Sequence, residues 1–139
     1  MPTCQPAIVL TTCPSQAEAE RIGRLLLQQR LAACVQYEAI QSQYIWQGGL
    51  CCDSEIRLTI KTAERHYPAV ERLILEQHSY DCPQILLLPV SGGSEGYLKW
   101  LNDNLTPQPG NLYPATHPYI AADQRLPEIL APQNLLSDS

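Results

Sequence analysis

Four side chains of this chain could do chemistry together: Cys13, His78, Asp81 and Cys82. A thiolate and an imidazole are soft or borderline donors that suit copper, and zinc takes the same set. A nearby carboxylate would add charge. His78, Asp81 and Cys82 share one short stretch, and Cys13 follows the first apolar run. A fold that ends a strand near Cys13, against the stretch holding His78, would assemble a metal site. The same residues also have plain structural uses. An imidazole can close a helix C-terminus, and a free cysteine packs as a small apolar residue.

The six cysteines are Cys4, Cys13, Cys34, Cys51, Cys52 and Cys82. Their even number would permit a disulfide framework. However, 139 residues are enough for one domain with a real core. No Cys-x-x-Cys pair marks a zinc ribbon. We therefore expect free thiols. No Ser, Cys or Lys stands in a motif with a base and an orienting group, and Glu55 and Asp81 are single carboxylates, so no enzyme is expected. Nine scattered basic residues in a chain of net charge −5 argue against a nucleic-acid partner. No stretch approaches membrane-spanning length, and the start lacks the pattern of a secretory leader, which makes a cytoplasmic location the expectation. His66 and His117 stand alone and read as surface or tail residues.

The elements that must position these groups follow from periodicity. Residues 7–12 form a short strand stopped by Pro14. Ser15 and Glu18 have capping-box spacing, and Ala19, Ile22, Leu25 and Leu26 make one apolar stripe, so a helix is expected over 16–30. An arm follows over 33–46. Fully extended it would span roughly 45 Å, whereas a domain of about 105 residues is only some 30–35 Å across. Gly48 and Gly49 suit a hairpin turn. Beyond it Ile56, Leu58 and Ile60 alternate with Glu55, Arg57, Thr59 and Lys61, the period of a half-buried strand. Val35 and Tyr37 lie in odd register and Tyr44 and Trp46 in even register, which predicts a bulge or bend near 38–41. Pro68 fits the first turn of a second helix ending near His78. Residues 84–90 make an apolar fourth strand, with Pro89 favouring an edge. The turn 91–94 leads into a third helix over 95–105.

The order β-α-β-β-α-β plus a terminal helix is the split unit of an α+β, ferredoxin-like fold with a long hairpin arm. The domain is expected over 1–105. Residues 106–139 hold six of the twelve prolines without periodicity. They are too apolar for a purely solvated tail, so a partly extended run along the surface is expected.

The chain resembles the CutA proteins, the divalent-cation tolerance proteins. The matching pieces are Thr11-Thr12-Cys13-Pro14, Arg30-Leu31-Ala32-Ala33-Cys34 and Tyr44-x-Trp46-x-Gly48 with Glu55 and Lys61-Thr62. The second half adds His78-x-Tyr80-x-x-Pro83-x-Ile85, Pro89-Val90-x-x-Gly93 and Tyr97-Leu98-x-Trp100-Leu101. The resemblance implies a homotrimer with strands paired across subunits, and a part in tolerance of copper or another divalent cation. The long arm and the apolar fourth strand agree with a trimer, with Tyr44 and Trp46 as packing anchors and Glu55, Arg57 and Lys61 in a shared-face charge row. In family members with a proposed copper site, the three ligand positions match Thr11, Gln77 and Gln84 here. None of these is a good copper ligand. Cys13, His78, Asp81 and Cys82 are the nearby substitutes. Trimers of related fold include PII-type nucleotide sensors, and Ser91-Gly92-Gly93-Ser94 before a helix could hold an anion. A small-ligand sensor acting through an unidentified protein partner is thus the alternative.

Overall fold

The computed structural model describes residues 5–107. The first strand, β1, is Pro6–Cys13, and the helix α1 is Gln16–Gln28. The arm strands are β2, Cys34–Trp46, and β3, Gly49–Ala63. A single 3-10 turn, Glu64–His66, leads into α2, Tyr67–Gln77. Then come β4, Ile85–Pro89, and α3, Glu95–Asp103. The antiparallel sheet has the order β2-β3-β1-β4. This is the ferredoxin-like arrangement expected from the element order, with β4 and its Pro89 at an edge. The C-terminal extension, His117 and Cys4 lie outside the described residues, apart from the extension's first two residues.

The core forms where the odd residues of β1 meet the even residues of β3. Val9, Cys13, Leu58 and Ile60 pack with Ala19, Ile22 and Leu26 of α1 and Val70, Leu73 and Ile74 of α2. On the opposite face α3 crosses the sheet, burying Leu101 and Leu105 against Ala63. Lys61 lies over the Tyr97 ring there, 5.6 Å from its centroid.

Helix α1 stops two residues earlier than its apolar pattern suggests. Leu31 N–H reaches the Leu26 carbonyl and Arg30 N–H the Leu27 carbonyl, each at 3.0 Å. This pairing is a Schellman closure, and it puts Arg30 at the left-handed position with φ 56°. The closure carries the chain into Leu31 and Ala32, both buried.

The hairpin turn also differs by one residue. Trp46 pairs with Gly49, so Gln47 and Gly48 are the turn, with φ of 51° and 80°. Two positive φ values match the twist of a two-residue hairpin. No bulge interrupts β2, because its pairing with β3 runs in one register from Cys34–Lys61 to Trp46–Gly49. The change of phase has another cause. Val35 and Tyr37 face the helices, whereas Tyr44 and Trp46 belong to the opposite face of the same unbroken ribbon. Because β1 pairs only with 56–63 of β3, seven-residue lengths of both arm strands project beyond it, roughly 23 Å at strand rise. Ile45 and Leu50 near the tip are each 70% exposed. The fourth strand is covered on one face only: Ile85 and Leu87 pack on the core, while Leu86 is 51% exposed.

Candidate metal centre

Three segments converge at the end of β1. Cys13 is its last residue, Glu18 lies in the first turn of α1, and His78 closes α2. One ligand atom from each lies within 4.8 Å of the other two. Cys13 and His78 are therefore brought together as expected. Cys82 and Asp81 are exposed, and neither belongs to this cluster. Its third member, Glu18, escaped the sequence reading because its spacing from Ser15 already gave it a local task. Only half of that capping box forms. Ser15 Oγ accepts from Glu18 N–H at 3.2 Å, but the Glu18 carboxylate turns away to accept from Ser79 N–H at 3.0 Å.

The side chain of His78 is buried, although the residue as a whole is only partly so. Its Nε2 donates to the Thr12 carbonyl at 2.7 Å and lies 3.7 Å from Cys13 Sγ. Its Nδ1 accepts from Tyr80 N–H at 3.1 Å and faces Glu18 Oε2 at 3.3 Å. These partners define the Nε2–H tautomer. The Tyr80 ring packs on the imidazole with centroids 4.8 Å apart, and its hydroxyl donates to Glu55 Oε2 at 2.9 Å. Burial, then the carboxylates of Glu18 and Glu55, push the Cys13 thiol up to about 12, with Arg21 opposing. Burial also pushes the Glu18 carboxyl up. The Ser79 hydrogen bond, His78 and Arg21 outweigh that push and hold it below its usual value.

The donor set fits a soft or borderline divalent cation. A tetrahedral ion bound to one sulfur and one nitrogen separates them by roughly 3.6 Å, given bonds of about 2.3 and 2.1 Å. The observed 3.7 Å between Sγ and Nε2 is close to this. A thiolate and a carboxylate would together balance a charge of +2. Binding would displace the thiol proton and the Nε2 hydrogen bond to Thr12, and the ring proton would have to move to Nδ1, where Glu18 Oε2 at 3.3 Å could accept it in place of the Tyr80 N–H contact.

The other expected positions have separate settings. Thr11 is buried, with its hydroxyl unpartnered. Gln77 is committed to Arg21, with Nη1 2.6 Å from its Oε1. Gln84 is exposed. His66, expected at the surface, is fully buried. The 3-10 turn carries it inward, where Nε2 donates to the Thr106 carbonyl at 2.8 Å. Burial lowers its pKa. In the arm, Tyr44 bonds Asp53, and Arg57 pairs with Glu38 at 2.8 Å. Tyr97 and Trp100 of α3 are partly exposed and lie 5.5 Å apart. At the start of α3, Ser94 Oγ accepts from Tyr97 N–H and Glu95 occupies the first turn. A carboxylate there disfavours a bound anion.

Comparison with known proteins agrees with this architecture. The profile of CutA1, described as the CutA1 divalent ion tolerance protein, matches residues 7–104. A divalent-cation tolerance protein CutA from Pectobacterium atrosepticum is 43% identical over 105 residues, covering 75% of this chain and 96% of its own. The crystal structure of CutA1 from Oryza sativa superposes with a TM-score of 0.73 at 33% identity, covering 76% of this chain and 98% of that one. A structure from Archaeoglobus fulgidus, titled a periplasmic divalent cation tolerance protein CutA, gives 0.71 at 32% identity, over 73% and 99%. No helix among the described residues is long and apolar enough to cross a membrane. The chain belongs to the CutA1 divalent ion tolerance family.

Proposed function

We propose that the chain serves divalent-cation tolerance by binding copper or a similar borderline divalent cation at the cluster of Cys13, His78 and Glu18. The observation that carries this reading is the convergence of a thiol, an imidazole and a carboxylate within 4.8 Å, from three separate segments. Cys13 Sγ and His78 Nε2 are the direct ligands in this proposal, and Glu18 supplies the second negative charge. Asp81 and Cys82 stand outside the cluster, exposed on the connection after α2. It acts as a binding protein, not an enzyme. The free thiols of Cys13, Cys34, Cys51, Cys52 and Cys82 favour a reducing compartment such as the cytosol.

The working unit in this reading is a homotrimer. Its support is the projecting ribbon, the exposed Ile45 and Leu50, and the uncovered face of β4 at an open edge. An apolar edge strand left bare invites pairing. Sedimentation at micromolar concentration should give three times the chain mass of 15.5 kDa, and a single-chain mass would remove the assembly. Titration with copper or zinc ions tests the site. Binding should be lost in Cys13→Ser/His78→Gln and kept in Asp81→Asn/Cys82→Ser. The opposite pattern would move the site to the connection, and undiminished binding in both would end the proposal.

A further inference from the structure

The family profile ends at residue 104, and the chain is gripped just past that point. Three segments converge on Thr106. Its N–H donates to the Arg30 carbonyl, at the close of α1, at 3.1 Å. Its carbonyl accepts twice, from Arg65 Nη2 at 2.9 Å and from His66 Nε2 at 2.8 Å. The Thr106 hydroxyl lies 3.3 Å from the same ring nitrogen. Arg65 Nη2 also donates to Asn102 Oδ1 of α3 at 3.1 Å, so one guanidinium holds both α3 and the residue that leaves it. His66 is fully buried, and its Nδ1 has no partner among the described residues. An enclosed polar atom without a partner is uncommon.

We propose that Arg65 and His66 form a clasp on Thr106 that ties the C-terminal extension to the domain while His66 is neutral and releases it when the imidazole is protonated. The neutral ring donates from Nε2 to the Thr106 carbonyl and leaves Nδ1 bare. Protonation puts a charged N–H at Nδ1, enclosed and with no acceptor among the described residues. The new charge also stands beside the Arg65 guanidinium of the same turn, whereas Glu64 of that turn is exposed to solvent. The groups reaching the ring from beyond α3, the Thr106 carbonyl and hydroxyl, are neutral. From α1 the clasp receives only the Arg30 carbonyl. Turning the ring out to water relieves the buried charge and gives up the Thr106 bonds. Burial lowers the imidazole below its ordinary 6.5; the Thr106 carbonyl opposes this, and the Arg65 charge adds to it. The clasp is therefore intact above pH 6.5 and opens as pH falls below that value. None of these residues belongs to the cluster of Cys13, Glu18 and His78, so the clasp is independent of the cation-binding reading.

The test is amide hydrogen exchange of the full chain, read by NMR at about pH 7.5 and about pH 5, on either side of the ordinary imidazole value. Protection of the Thr106 N–H, corrected for the intrinsic exchange rate, should fall about tenfold or more at the lower pH, as one buried donor without an acceptor demands. Protection of the core amide of Ile60 should hold. His66→Gln keeps a donor for the Thr106 carbonyl and takes up no proton, so its Thr106 protection should be the same at both pH values. Arg65→Gln removes the neighbouring charge, so the fall should move to higher pH. Thr106 protection that ignores pH, or a fall that persists in His66→Gln, would overturn the proposal. So would an Ile60 amide that loses protection by the same factor, since the whole domain would then be opening. If His66→Gln does not fold, the His66 ring is titrated directly in the unaltered chain. Its midpoint must lie below 6.5 and coincide with the loss of Thr106 protection, and a midpoint at or above that value, or one apart from the loss, would equally overturn it.

Discussion

Replacing His78 with alanine probes whether the imidazole ties three segments together. The ring joins the end of β1, the start of α1 and the connection after α2. Its loss strands the Thr12 carbonyl and the Tyr80 N–H, which it now satisfies at 2.7 and 3.1 Å. Each buried orphan costs about 1–3 kcal/mol, and the vacated space adds a cavity penalty. Glu18 is partly spared, because its bond from Ser79 N–H survives. The expected loss is about 3 kcal/mol for two orphans at about 1.5 kcal/mol each, below the middle of that range because the Tyr80 N–H is only part-buried. With a urea slope of about 1–3 kcal/mol/M, the unfolding midpoint should fall by roughly 1–3 M. Protein concentration must be held fixed, since assembly contributes to the measured stability. His78→Gln retains a donor and an acceptor and should lose about 1 kcal/mol. A shift below about 0.5 kcal/mol in His78→Ala would refute the reasoning.

Further outcomes follow from other parts of the fold. The Cys13 thiol is raised from 9.0 to about 12, so its folded form holds the proton more tightly than the unfolded chain. Its contribution to stability is fully present below pH 9 and is lost as pH rises towards 12, with a slope up to about 1.4 kcal/mol per pH unit. Cys13→Ala should flatten the alkaline fall in urea-unfolding stability by that amount, and an unchanged slope would contradict the burial of the thiol. At the end of α1, Arg30→Gly should relieve the left-handed backbone at φ 56°. It should gain about 0.5–1 kcal/mol after the entropy cost of glycine, seen as a melting temperature higher by a few degrees.

Much of the fold was legible because each element carries a clear period. The alternation of Ile56, Leu58 and Ile60 and the stripe through Ala19, Ile22 and Leu26 both point to the core that forms. The misreadings occurred where a period was asked to report something it does not encode. The even-register aromatics of the arm lie on the opposite face of the ribbon, and in sequence such a change of face reads the same as a bulge. Arg30 closes α1 through backbone bonds that a charged side chain does not advertise. His66 looked solitary in sequence, yet one 3-10 turn buries it against Thr106.

The candidate site was half legible. Cys13 and His78 were found from their chemistry, and strand one did end against the connection holding His78. Glu18 could not be ranked above other acidic residues by spacing alone, since its pairing with His78 joins α1 to the end of α2, sixty residues on. A signal existed in its position one turn into α1, where a strand end and a helix start place it beside Cys13. Tyr80 and Glu55 were noted as motif residues, but only the fold shows that they grip one another.

The most direct test of the account is the absorption spectrum of the full chain titrated with cobalt(II), a spectroscopic stand-in for a borderline divalent cation. Coordination by Cys13 predicts a thiolate-to-metal charge-transfer band in the near ultraviolet. That band should persist when Cys52 and Cys82 are replaced by serine and vanish in Cys13→Ser. A spectrum without the band, or a band that survives Cys13→Ser, would contradict the cation site at the end of β1.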